Sequence, residues 1–115
     1  MTMTDAVEKM LNQALTETGQ YFWWISPTYA KSKEVVEEFT SELNYDNLDY
    51  KWRTNERTLT LKNRSVIAFR SASASPDTLR GFRINGVVVP ANVPQALIDS
   101  VRTCLTKTNG WIITV

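Results

Sequence analysis

The strongest constraint on folding is the run Tyr21-Phe22-Trp23-Trp24-Ile25-Ser26. A strand with one wet face alternates apolar and polar residues, whereas a strand covered on both faces reads as a continuous apolar stretch. The run therefore predicts a strand buried on both sides, ended by Pro27, which has no N–H to give to a ladder. Val87–Val89 reads as a second, shorter buried strand, and Trp111–Val115 as a third. Between them the period changes. Val7, Met10, Leu11, Ala14 and Leu15 fall at i, i+3, i+4, i+7 and i+8, one face of a helix. Strand, helix, strand, helix, strand predicts an α/β layered fold, with right-handed crossovers between parallel strands.

The remaining segments fill this frame. Thr2 or Thr4 can cap the first helix and Gly19 can end it. Ser32 reads as the N-cap of a second helix, with Val36, Phe39 and Leu43 turned inward. Tyr45 to Asn55 is polar and aromatic and reads as irregular. Arg57–Leu61 and Ser65–Phe69 read as the strands of a hairpin. Their turn carries Asn63-Arg64 where Asn-Gly would be ideal, so either an Arg sits at an unfavourable φ or the loop is longer. Pro94 suits the first turn of a third helix, with Leu97, Ile98, Val101, Cys104 and Leu105 inward. Asn109-Gly110 then turns the chain into its last strand.

Composition excludes several classes of function. The 115 residues fit one domain, able to bury roughly two-thirds of its unfolded surface. Thirteen basic and 12 acidic residues leave a net charge of +1, which gives no electrostatic argument for non-specific nucleic-acid binding. No apolar run approaches the ~20 residues that span a bilayer, and no basic-then-apolar signal pattern opens the chain. One cysteine, Cys104, rules out an internal disulfide and fits a reducing cytoplasm. With no histidine there is no imidazole acid–base chemistry and no His metal ligand.

Four blocks, in order, resemble the ATPase domain of the large terminase subunit, the DNA-packaging motor of tailed bacteriophages. Trp24-Ile25-Ser26-Pro27-Thr28-Tyr29-Ala30-Lys31-Ser32-Lys33-Glu34 resembles that family's strand, Pro-Thr-Tyr turn and following helix. The stretch from Asn55 to Ser71 resembles its hairpin. Leu79-Arg80-Gly81 with Val87-Val88-Val89 resembles the approach to Walker B. Val93-Pro94, the run Ala96 to Arg102, and Asn109-Gly110-Trp111 resemble the helix and strand that follow. The resemblance runs from about Thr4 to Val115. It implies one domain over residues 1–115, a three-layer piece of a P-loop (ASCE-type) ATPase domain. The expected sheet is short and mostly parallel, with flanking helices and a β-hairpin. It also implies a strand order with Val87–Val89 between Tyr21–Ser26 and Trp111–Val115.

Two departures from the family pattern bear on chemistry. Its Gly-rich Walker A loop would lie before residue 1, and no glycine precedes Gly19, so these residues build no phosphate cradle. The resemblance thus implies a domain truncated before the P-loop strand. At the Walker B position, Val89 is followed by Pro90-Ala91, where the family places an acidic pair. Neither residue binds a cation or accepts a proton. The expectation is no catalytic residue, no metal site, and no ATP or Mg²⁺ bound, although the family uses both.

Arg80 matches the family's arginine that reaches a neighbouring subunit's nucleotide, a trans arginine finger; its plainer reading is a surface or salt-bridged arginine. Tyr21, Phe22, Trp23 and Trp24 read mostly as core, with one of them free to face a partner. Asp46, Asp49 and Glu56, beside Lys51, Arg53 and Arg57, read as a solvated, charge-balanced loop. Cys104 reads as a small core residue. Two functions follow from the resemblance. One is a remnant or piece of a packaging terminase, inactive alone, in the cytoplasm of a bacterial host. The other is a phage or prophage interaction protein on the same scaffold, directed at a motor or a host defence protein. The uncharged strand Trp111–Val115, lacking its usual neighbour, is expected to pair with a second copy. No membrane or strong nucleic-acid contact is expected.

Overall fold

The computed structural model describes residues 2–72 and 83–115. Its elements are α1 (Met3–Thr16), β1 (Tyr21–Ser26), α2 (Tyr29–Tyr45), β2 (Tyr50–Arg53), β3 (Thr58–Leu61), β4 (Val66–Ser71), β5 (Gly86–Val89), α3 (Gln95–Leu105) and β6 (Trp111–Thr114). All six strands join one sheet in the order β2-β3-β4-β1-β5-β6. β4, β1, β5 and β6 are parallel to one another, and β2 and β3 add an antiparallel flank. Val87–Val89 lies between β1 and β6, the order that the resemblance implies. The hairpin is not an appendage: β4 pairs with β1 over its whole length, from Tyr21–Val66 to Ser26–Ser71. β1 is thereby the interior strand that its unbroken apolar run requires.

The sheet separates two apolar clusters, and β1 feeds both through strand alternation. Phe22 and Trp24 enter a cluster with Val7, Met10 and Ala14 of α1 and Val35, Phe39 and Leu43 of α2. Trp23 and Ile25 enter the other, with Leu97, Val101, Cys104 and Leu105 of α3. The result is three layers. Phe22, Trp23 and Trp24 are buried, and Tyr21 is the half-exposed member of the four aromatics. Phe39 stands where the aromatic packing is densest. It lies edge-on to Trp24 at 5.6 Å and to Phe69 at 5.6 Å, and Phe69 in turn meets Trp52 at 5.8 Å.

Several expectations are corrected. Tyr45 to Asn55 is not irregular throughout: α2 runs to Tyr45, and Tyr50–Arg53 forms β2, paired with β3 from Tyr50–Leu61 to Arg53–Thr58. Tyr50 and Trp52 pack on the α1/α2 cluster while Lys51 and Arg53 are exposed. That is a period-2 pattern, obscured in the sequence by its short length and its charges. Ser32 is not the cap of α2. Thr28 Oγ accepts from Lys31 N at 3.2 Å, while Ser32 is buried and donates to the Tyr29 carbonyl at 2.6 Å. About one turn after Ser32, the helix presents Val35 more deeply than Val36. Leu15 is exposed and Ile98 half-buried, each at the margin of its helix's apolar stripe. Pro94 is the N-cap of α3, immediately before its first turn.

Thr2 caps α1, accepting from Asp5 N at 3.1 Å. The other end of α1 explains the unusual hairpin turn. Asn63 Nδ2 donates to the Ala14 carbonyl at 2.8 Å, and Ser65 Oγ donates to the Glu17 carbonyl at 3.0 Å. The turn after β3 thus takes up carbonyls that a helix end leaves unpaired. Gly19, at φ 68, donates to the Asn63 carbonyl at 3.2 Å. Both sequence alternatives hold at once: Arg64 sits at φ 74, and the loop spans residues 62–64, with Leu61 N donating to the Ser65 carbonyl.

Candidate functional site

In open parallel α/β sheets, ligands bind beyond the carboxyl ends of the strands. Here β1 ends at Ser26-Pro27, β5 at Val89-Pro90 and β6 at Thr114-Val115, around a cavity of about 390 Å³. The starts of α1 and α2 close it, through Met3 and Val35. Trp24, Pro27, Pro90 and Val115 complete a mostly apolar wall. Its charged members are Lys31 and Glu34, both exposed residues of α2. Of the degenerate Walker B position, Val89 is buried away from the cavity and Pro90 lines it. Ala91 is exposed and does not line the cavity. Among the described residues, no group of three or more His, Cys, Asp or Glu converges. Arg80 lies outside the described residues. Asp46, Asp49 and Glu56 are each exposed.

The opposite ends of the same strands are pinned. Asn85 Oδ1 accepts from Tyr21 N at 2.9 Å, and the Asn85 carbonyl accepts from Trp111 N at 3.4 Å. One side chain and one carbonyl thus set the relative heights of β1, β5 and β6. The register of the cavity follows from contacts at the far end of the sheet. No described helix is long and apolar enough to cross a membrane.

A mostly parallel sheet with helices on both faces, and strand carboxyl ends gathered around a cleft, defines an open three-layer α/β domain. The chain has the fold of the ATPase domains of phage large terminases. The large terminase of a thermophilic bacteriophage superposes with a TM-score of 0.75 at 15% identity, over 95% of this chain and 29% of that one. The large terminase ATPase domain of Thermus phage P74-26 also gives 0.75, at 19% identity, over 97% of this chain and 53% of that one. A structure of the thermophilic phage's protein in complex with ADP gives 0.72 at 15% identity. The chain therefore spans between about a third and a half of the length of the structures it matches. No protein-family model matches the sequence, and no curated protein does.

Proposed function

We propose that the chain is part of a phage DNA-packaging terminase large subunit and does not hydrolyse ATP by itself. The observation that carries this reading is Pro90-Ala91 immediately after β5, at the edge where this fold gathers its strand ends. Phosphoryl transfer relies on positioning, on Mg²⁺ held by oxygen ligands, and on a carboxylate that orients water. Among the described cavity-lining side chains the one carboxylate is Glu34, on α2, and Pro90 and Ala91 at the β5 end carry no ionisable side chain. This donor set does not fit a Mg²⁺–phosphate centre. Pure protein incubated with Mg²⁺ and ATP is expected to release phosphate at the rate of a protein-free blank. Saturable, Mg²⁺-dependent release would overturn the reading.

A second reading, an interaction protein on the same scaffold, is favoured by the edge of the sheet. β6 pairs with β5 on one side. Trp111 N donates to Asn85 and Val115 N to Val89, so by strand alternation the N–H groups of Ile112 and Thr114 point away from β5. Lys51 and Arg53 guard the other edge strand, β2, but β6 carries no charge or proline to blunt it. A second copy, pairing edge to edge about a twofold axis, would cover both open edges at once. Thr114→Pro deletes an outward donor and spares the β5 ladder. Sedimentation across the micromolar range is expected to show a dimer for the parent and a monomer for Thr114→Pro, which should keep its circular dichroism spectrum and lose the concentration dependence of its melting temperature. A monomeric parent, or a dimer that survives the substitution, would refute edge pairing.

A further inference from the structure

A second cavity, of about 270 Å³, lies away from the strand ends, between α2 and the β2–β3 hairpin. Its walls include Lys33, Val36 and Glu37 of α2, and Trp52, Thr54 and Arg57 of the hairpin. Arg57 is the unusual member. It closes the loop 54–57 between the paired residues Arg53 and Thr58, and it does so at φ 53. Glycine is the default at such a position because it has no Cβ to clash. An arginine held there against that preference is a reason to ask what its side chain does.

The guanidinium of Arg57 lies 3.9 Å from the centroid of the Tyr29 ring. This cation–π contact restrains the group and removes part of the entropy cost of ordering it before any ligand arrives. Among the described residues, this half-buried group makes neither a hydrogen bond nor an ion pair with another protein group. Its five N–H donors are therefore unspent, in a fork whose geometry matches an oxyanion. Lys33 adds a second cation to the wall, and Glu37, one turn further along α2, is the only carboxylate among its described residues. Trp52, half-buried and braced edge-on by Phe69, supplies a flat apolar surface beside the charges.

We propose that this groove binds a small phosphomonoester that carries a planar ring, with the phosphate on Arg57 and Lys33 and the ring against Trp52. The proposal does not depend on the function assigned above. A nucleotide bound at the strand ends would be indifferent to Arg57, which sits in a different turn.

The test is isothermal titration of the full chain with phenyl phosphate, adenosine 5′-monophosphate, phenol and inorganic phosphate, without Mg²⁺. Phenyl phosphate or the nucleotide is expected to bind saturably. Phenol should not bind, and inorganic phosphate should bind at least about tenfold more weakly, having lost the ring contact. Arg57→Gly suits the backbone of the loop, so it should keep or raise the melting temperature while weakening binding by about tenfold or more. Lys33→Gln should weaken binding less and flatten its salt dependence. No saturable heat at millimolar phenyl phosphate, or unchanged binding by a folded Arg57→Gly protein, would overturn the proposal.

Discussion

Phe39→Ala is expected to lower the stability of the chain by about 3–5 kcal/mol, the usual cost of deleting a buried aromatic. A domain of this size has a total margin of roughly 5–15 kcal/mol, so the variant should melt far below the parent or fail to hold its fold. The reason lies in the position of the ring. Phe39 is fully buried on the inner face of α2, and its edges meet Trp24 of β1 and Phe69 of β4. Removing it leaves a void lined by two rigid rings on neighbouring parallel strands, and neither can collapse into it without leaving the sheet. Thermal melting followed by near-ultraviolet circular dichroism reads both the loss of stability and the loss of fixed tryptophan packing. A change below about 1 kcal/mol would mean that α2 is not anchored through this residue.

Gly86→Ala should be damaging to a lesser degree and for the opposite reason, excess volume. A Cβ at Gly86 would overlap the six-membered ring of Trp111, its partner in the β5–β6 register. The indole has little freedom to yield. Its Nε1–H donates to Gln13 Oε1 at 2.7 Å, it packs against Phe22 at 5.8 Å, and Lys9 Nζ lies over it at 5.2 Å. One methyl therefore either displaces β6 or breaks the tie between β6 and α1. Overpacking of this kind costs about 1–3 kcal/mol. Denaturant unfolding of Gly86→Ala, compared with the double variant Gly86→Ala/Trp111→Ala, checks the cause. Measured against Trp111→Ala alone, the Gly86→Ala change should cost less than it does in the parent if the ring is the obstacle, and as much if it is not.

The core strands were legible because their burial is written without interruption. Tyr21–Ser26 and Val87–Val89 carry no charge, and a chain of that composition has nowhere to lie but inside a sheet. β2 was hidden for the converse reason. Its strand character rests on Tyr50 and Trp52 alternating with Lys51 and Arg53, too few residues for the period to emerge from a charged surround. The start of α2 was misread by one turn because Thr28 and Ser32 are both good caps, and only the burial of Ser32 decides between them. The role of Asn63 could not be read at all. Its side chain serves the end of a helix 49 residues earlier in the chain, a contact that no local pattern encodes. At the candidate site, Pro90-Ala91 was plain from the sequence. The groove around Arg57 was not, because it joins α2, which carries Tyr29 and Lys33, to the hairpin strand that carries Trp52, two segments with no local sequence link.

The position of β1 also sets an order of events during synthesis. Its partners come late: Tyr21 pairs with Val66 and is pinned by Asn85, so the neighbours of the central strand emerge 45 and 64 residues after it. At roughly 5–20 residues per second that is a wait of several seconds. Through this interval a newly made Phe22-Trp23-Trp24-Ile25 stretch has no strand on either side. α1 and α2 are complete by Tyr45 and can shelter the face that carries Phe22 and Trp24. The face that carries Trp23 and Ile25 waits for α3, which begins only at Gln95. Nascent chains halted between Tyr45 and Gln95 should therefore be the ones that recruit holdase chaperones, through one side of a single strand.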